Sequence, residues 1–241
     1  MCTSKYKHLF FDLDRTLWDF DKNSVETLKD IFEKYNLNAG GVSFDSFIKI
    51  YNHHNHKLWD LYRQGKIEKD ILSIKRFTLT INELNIGKPN IAEQISTEYI
   101  IVSPTKKVLF PNTHESLSFL SKNYKLHIIT NGFNEVQYTK LENAELSQYF
   151  TEIITSEQVG KLKPNSEIFE FALQKADATP SESIMIGDDL EVDIAGADRI
   201  GMDTIFFNPE KIKFNQKVTY EIIDLIELKE IFCTNTISNP V

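Results

Sequence analysis

The chain has 241 residues, 41% hydrophobic and 26% charged, with a formal net charge of −8, enough for one large domain or a core with a smaller insert. The acidic balance argues against sequence-independent nucleic-acid binding, which needs a basic surface to displace counterions, but a local metal still allows a small anionic substrate. Two cysteines near opposite ends, Cys2 and Cys233, exclude a disulfide framework and a zinc-ligand spacing.

His8-Leu9-Phe10-Phe11 is a short apolar run bounded by turn chemistry and predicts a buried strand. It ends in Asp12-Leu13-Asp14-Arg15-Thr16. A continuing strand points the two carboxylates to one face, and a turn after Asp12 still lets them converge at the strand's carboxyl end. Carboxylates this close repel unless a cation sits between them or one is protonated, and a hard divalent cation is the economical answer. A plain helix N-cap is the alternative role for Asp14.

Residues 20–103 read as nearly all helix. Val25, Leu28, Phe32 and Tyr35 keep helical spacing up to the break at Asn38-Ala39-Gly40-Gly41. Phe44, Phe47, Ile48, Tyr51, Leu58, Leu61 and Tyr62 outline a longer amphipathic helix, stopped by Gly65. Ile71, Ile74, Phe77 and Ile81 outline a third, and Pro89 suits the first turn of a fourth with Ile91, Ile95 and Tyr99. These four helices predict a bundle inserted after the first strand, with Leu61, Ile74 and Phe77 in its core. The spacing of His53-His54-Asn55-His56 suits a solvated face with one packed histidine, not a metal site.

From Pro104 the pattern alternates. Strands are expected at Lys125-Leu126-His127-Ile128-Ile129, Glu152-Ile153-Ile154, Ser183-Ile184-Met185-Ile186 and Thr204-Ile205-Phe206-Phe207. Helices are expected around Leu117 and Leu120, Val136 and Leu141, Ile168 to Leu173, and Ile194 to Ala197, the last stopped by Gly201. The fold class is α/β: a doubly wound parallel sheet with an inserted α-helical bundle. Core residues are expected at 1–18 and 104–234, the insert at 19–103, and a frayed tail at 235–241. No apolar run approaches a membrane span, and the residues before the first strand leave no room for a signal peptide, so the cytoplasm is the expected compartment.

Further reactive residues gather at strand ends. Thr130-Asn131-Gly132 offers a hydroxyl and turn amides to an anion, and Gly187-Asp188-Asp189 is followed one helical turn later by Asp193. In Lys161-Leu162-Lys163-Pro164 the proline keeps Lys163 out of regular helix. Parallel strands put all their carboxyl ends on one edge, so these pieces meet in space. Taken singly, Thr130 suits a turn hydroxyl, Lys163 a solvated lysine, and Asp189 and Asp193 the first turn of a helix.

In this order the pieces resemble the four motifs of the haloacid dehalogenase superfamily, with the helical insert in the place of that family's cap. The resemblance implies Asp12 as a nucleophile that forms an aspartyl phosphate, and Asp14 as general acid and then base. Asp12, the main-chain carbonyl of Asp14 and Asp188 are implied as the ligands of one Mg²⁺. Thr130, the amides of Asn131 and Gly132, and Lys163 are the implied phosphate-binding groups, with Asp189 and Asp193 orienting metal waters or Lys163. Five carboxylates against one lysine would repel a phosphate dianion, which makes Mg²⁺ a requirement.

Within the superfamily, Asp14 argues against a dehalogenase proper, a branch that lacks this acid and needs no metal. The phosphonate-cleaving branch adds a Schiff-base lysine in its cap, and none of Lys57, Lys66, Lys69 and Lys75 stands out as one. Leu58-Trp59-Asp60-Leu61-Tyr62-Arg63-Gln64-Gly65-Lys66-Ile67, Ile129-Thr130-Asn131-Gly132-Phe133 and Trp18-Asp19-Phe20-Asp21 resemble the pyrimidine 5′-nucleotidase branch. That implies a pyrimidine nucleoside monophosphate such as UMP, dUMP or dTMP as the small-molecule partner. Trp18, Trp59, Tyr62 or Phe133 would then stack on the base, against the plain reading of each as core. A sugar-phosphate or phosphoglycolate-type phosphatase and a phosphomutase share the same core residues. A non-catalytic binding protein should have lost some of them. An insert between two connections is expected to open and close, with hinges near residues 18–21 and 103–107.

Overall fold

The computed structural model describes residues 5–38, 40–87 and 90–233; Cys2, Ala39, Pro89 and the tail at 235–241 lie outside the described residues. The chain divides into two compact units, Met1–Phe20 with Lys107–Val241, and Asp21–Lys106.

The first unit holds one sheet of six parallel strands in the order β3-β2-β1-β4-β5-β6. The strands are β1 (His8–Phe11), β2 (Lys125–Thr130), β3 (Phe150–Thr155), β4 (Ser183–Gly187), β5 (Asp203–Phe207) and β6 (Tyr220–Ile222). Helices cover both faces, which is why β1 and β4 are buried along their whole length and read as continuous runs instead of alternating ones. Successive residues still face opposite ways. Leu9 and Phe11 join Leu126, Ile128, Ile184 and Ile186 on one side, packed with Leu117 and Leu120 of α5 (Thr113–Leu120) and Phe232 of α10 (Glu227–Cys233). Phe10 joins Ile129, Ile154 and Met185 on the other, against Ile168, Phe169 and Ala172 of α8 (Ser166–Ala176).

β1 lies between β2 and β4, with Phe11 in register with Ile128 and Ile186. The chain completes β1-β2-β3 on one side before crossing to β4-β5-β6 on the other. That switch point, at the carboxyl ends of β1 and β4, is where doubly wound sheets take their ligands.

The sixth strand was not anticipated. β6 is three residues long at the sheet's edge, and only Ile222 of the three is buried, too short a stretch to carry a periodic signal. β3 begins two residues before the expected Glu152.

The second unit consists of α2 (Phe44–Arg63), α3 (Lys69–Glu83), α4 (Ile91–Val102) and all but the first residue of α1 (Phe20–Lys34). Its core includes Leu28, Ile31, Phe32, Phe47, Tyr51, Phe77, Ile81, Ile95 and Tyr99. Ile74 departs from the expected core: it is 36% exposed, and Ile71 49%. The buried face of α3 is instead Leu72, Ser73, Arg76, Phe77, Thr80 and Ile81. Three polar residues turn inward there, so a stripe drawn through the apolar residues alone is rotated from the real one. In the histidine cluster, His54 pairs with Glu83 at 2.8 Å, while His53 and His56 are exposed.

The connections between the units leave the sheet unit side by side. The Asp19 amide donates to the Val108 carbonyl at 3.0 Å, the Phe110 amide to Leu17 at 3.0 Å, and Trp18 bridges Leu109. Among the described residues no helix is long and apolar enough to cross a membrane.

Candidate active site

β1 delivers Asp12 to the switch point. Its amide continues the ladder past Phe11, donating to Ile186 at 2.9 Å. The chain then folds back tightly: the amides of Leu17 and Trp18 both donate to the Leu13 carbonyl, at 3.0 and 2.9 Å, and Arg15 takes a left-handed φ of 67°. Asp14 therefore sits on a closed turn beside Asp12.

β4 delivers Asp188. The Asp189 carboxylate then caps the next turn, accepting from the amides of Glu191 and Val192 at 2.9 and 3.0 Å. A π-helical turn, Leu190–Ile194, swings Asp193 back over the strand end, where its Oδ2 accepts from the Asp189 amide at 3.2 Å. Gly187 makes room for this: a Cβ there would lie 2.4 Å from Asp193 Oδ2. The Thr16 hydroxyl donates to Asp188 Oδ1 at 3.2 Å.

Lys163 joins the two strand ends. Its ammonium donates to Asp12 Oδ1 at 2.6 Å, Asp193 Oδ1 at 2.6 Å and the Ile129 carbonyl at 2.8 Å, which accounts for all three of its N–H bonds. Asn131 fixes the lysine's main chain from both sides, accepting from the Lys163 amide at 2.7 Å and donating to its carbonyl at 3.0 Å. Burial disfavours the charged ammonium, yet Asp12 and Asp193 outweigh it and hold Lys163 above the usual lysine range.

The carboxylates are crowded. Burial pushes Asp12 up to about 7 against the pull of Lys163, with Asp193 and Asp14 adding to the rise. Asp188 is pushed well up, first by burial and then by Asp12 and Asp193. Asp12, Asp188 and Asp193 each offer an oxygen within 4.8 Å of the others. Asp12 is buried and Asp188 partly exposed, and their oxygens fit a hard divalent cation, which would favour the ionised form of both; the Asp193 oxygens are engaged by Lys163 and the Asp189 amide.

Asp14 faces a different group. Its Oδ1 accepts from Lys140 Nζ at 2.5 Å and its Oδ2 from Gln137 Nε2 at 2.9 Å. The same Gln137 nitrogen donates to Thr130 Oγ1 at 2.6 Å, and the Gly132 amide donates to that oxygen at 3.2 Å. Lys140 is buried and lies 4.3 Å above the Trp18 ring.

Two neighbouring carboxylates, a hydroxyl, a buried lysine and an acidic cluster that could hold a cation thus converge at one end of the sheet. The sequence profile of the haloacid dehalogenase-like hydrolases matches residues 9–207. The chain belongs to that family. This haloacid dehalogenase-like hydrolase is 33% identical over 235 residues to the pyrimidine 5′-nucleotidase YjjG of Escherichia coli, covering 95% of this chain and 99% of that one. It is 32% identical to a glyceraldehyde 3-phosphate phosphatase of Methanothermobacter thermautotrophicus, over 93% and 99% of the two chains. The structure of Bacillus subtilis YfnB bound to magnesium superposes with a TM-score of 0.85 at 28% identity, over 95% of this chain and 100% of that one.

Three expected roles in this hydrolase are revised by the geometry. Trp18 is wholly buried in the core of the sheet unit, edge-on to Phe20 and under Lys140, which leaves no open face for a nucleobase. One Asp189 carboxylate oxygen, Oδ1, caps the following turn, and the Asp189 amide donates to Asp193. The Asn131 side chain clamps Lys163, leaving its main-chain amide for an anion. Phe133 is 5% exposed. In the helical unit, Trp59 is half-buried and edge-on to Tyr62, with centroids 5.6 Å apart.

Sequence reasoning missed Gln137 and Lys140, and quoted Thr16 within the first motif without a role for it. Gln137 and Lys140 lie three residues apart on α6 (Asn134–Asn143), hence on one face of the helix that follows Thr130. That spacing was readable, but polar residues on a helix are assigned to solvent until its inner face is known. The charge count changes accordingly: two buried lysines, not one, answer the five carboxylates.

Proposed function

We propose that this hydrolase is a Mg²⁺-dependent phosphomonoesterase acting on (deoxy)pyrimidine nucleoside 5′-monophosphates. The observation that carries the reading is Asp12 at the end of β1, paired with Lys163 and neighboured by Asp14 on a closed turn. An oxygen of Asp12 attacks phosphorus and the ester P–O bond breaks, while Asp14 supplies the proton that the leaving oxygen takes up. Asp14 then accepts a proton from water as that water attacks the aspartyl phosphate, releasing inorganic phosphate and regenerating Asp12. The Thr130 hydroxyl, the turn amides and Lys163 stabilise charge on the phosphoryl oxygens. Asp12, Asp188 and the main-chain carbonyl of Asp14 would hold Mg²⁺, with Asp193 orienting Lys163; the ion supplies the positive charge that lets a dianion enter an acidic site.

The pyrimidine preference rests on relatedness to the nucleotidase YjjG across nearly the full chain. A glyceraldehyde 3-phosphate phosphatase at 32% identity supports a second reading, a small sugar-phosphate phosphatase. Phosphate release with Mg²⁺ from dUMP, dTMP, UMP, purine monophosphates, phosphoglycolate and hexose phosphates, with Asp12→Asn as the blank, separates the two. Turnover confined to pyrimidine monophosphates is expected. Turnover of only sugar or glycolate phosphates would keep the chemistry and reject the substrate.

A further inference from the structure

The Asp14 carboxylate has a donor on each oxygen, Lys140 on Oδ1 at 2.5 Å and Gln137 on Oδ2 at 2.9 Å. Two donors from one rigid helix fix both the torsion and the plane of the carboxylate. Gln137 Nε2 also donates to Thr130 Oγ1, whose second lone pair is taken by the Gly132 amide. A hydroxyl with both acceptor sites filled has one hydrogen-bonding function left, its own proton. Thr130 is thereby set as a donor, the polarity that a phosphoryl oxygen requires.

Gln137 accomplishes this at a cost. Its Oε1 is buried without a hydrogen-bond partner among the described residues. The chain also leaves room for it, since a Cβ on Gly132 would lie 2.3 Å from Gln137 Cδ. Lys140 is a buried ammonium whose anionic partner is Asp14, and it caps the Trp18 ring on its far side.

We propose that Gln137 and Lys140 are positioning residues for phosphoryl transfer: Lys140 sets the Asp14 carboxylate for proton delivery to the leaving oxygen, and Gln137 links that carboxylate to the phosphate-facing hydroxyl of Thr130. The inference rests on the phosphomonoesterase reading above. In the step concerned, Asp14 enters protonated; Asp12 bonds to phosphorus, the ester oxygen keeps the electrons of its broken P–O bond and takes the Asp14 proton, so the leaving group departs as an alcohol and Asp14 is left as the carboxylate that Lys140 and Gln137 hold. An alkyl phosphate needs that proton, whereas 4-nitrophenyl phosphate, which leaves as a stable phenolate, does not.

The test compares kcat/KM, which reports the steps through loss of the leaving group, for 4-nitrophenyl phosphate and for the alkyl phosphate turned over fastest in the panel. Lys140→Met should lower the alkyl value about 100-fold and the aryl value less than about fivefold, the range expected for general-acid catalysis. Lys140→Arg should recover most of the alkyl activity. Gln137→Leu should lower both values, through Thr130, with the alkyl loss the larger by about tenfold. Equal losses on both substrates, or none, would overturn the inference, since damage to packing does not discriminate between leaving groups. Wild-type protein without Asp12-dependent turnover of either substrate would instead overturn the parent reading, and the role of α6 with it.

Discussion

Lys163 and Asp12 form a 2.6 Å ion pair in which only 1% of the lysine side chain and 10% of the aspartate side chain meet solvent. A buried pair is weak evidence of stability as it stands, but removing one partner strands the other. Lys163→Met should abolish turnover and cost about 3–5 kcal/mol in urea unfolding, because two buried carboxylates lose their counter-charge. Lys161, two residues away and 53% exposed in a 3.6 Å pair with Glu167, provides the control. Lys161→Met should leave stability within about 0.5 kcal/mol.

Gly132 and Gly187 should respond differently to the same added methyl group. At Gly132 the clash is with side-chain atoms of Gln137 and not with a backbone turn, so Gly132→Ala should keep the fold while the displaced amide lowers kcat/KM. At Gly187 the clash reaches Asp193 Cβ at 2.6 Å, so the π-helical turn itself must shift. Gly187→Ala should lose activity and about 1–3 kcal/mol of stability, as overpacked positions do. Thermal melts alongside kcat/KM separate the two cases.

Mg²⁺ should stabilise the fold as well as support turnover. At 100 times its dissociation constant a ligand that binds only the folded state adds about 2.7 kcal/mol. A MgCl₂ titration should raise the melting midpoint of the wild type, and Asp188→Ala should flatten that response. Chelation with EDTA should stop phosphate release.

His127 supplies a pH dependence unrelated to the reaction. Its ring, on β2, is buried, with Nε2 3.1 Å from His8 Nδ1 and one face stacked on Phe10, and its Nδ1 has no hydrogen-bond partner among the described residues. Burial, with His8 and Lys125 adding to it, pushes the imidazole down to about 3. Above pH ~6.5 the folded and unfolded chains both carry it neutral; below that the unfolded chain takes up a proton that the fold refuses. Stability should therefore fall by about 2 kcal/mol between pH 6.5 and 5 from this residue alone, and go on falling toward pH 3. The raised carboxylates of the site act in the opposite sense, so the comparison is wild type against His127→Leu in saturating Mg²⁺, with the mutant showing the flatter profile.

The parts of the centre legible in advance were those that break a pattern. Asp12 and Asp188 end apolar runs, Thr130 stands before a glycine turn, and Lys163 precedes a proline; each interrupts a periodicity that the core imposes. Gln137 and Lys140 interrupt nothing, because a polar residue on an amphipathic helix looks the same whether it faces water or a buried carboxylate. The inward polar face of α3 hid Ile74's exposure for the same reason. Trp18 was misjudged because an aromatic ring near a motif carries no sign of which face the fold will cover. β6 was missed because three residues at a sheet edge are shorter than any repeat that could reveal them.

The helical unit enters and leaves the sheet unit at two neighbouring strands of chain, pinned by the Asp19–Val108 and Leu17–Phe110 hydrogen bonds. Such a junction works as a socket. The free-energy cost of closing a loop grows only slowly with its length, so the length of what is plugged in between residues 20 and 107 adds little to the cost of folding the sheet. Selection is then free to exchange or rebuild the insert while the acidic centre stays untouched, and a lineage of such proteins could change its diet without relearning its chemistry.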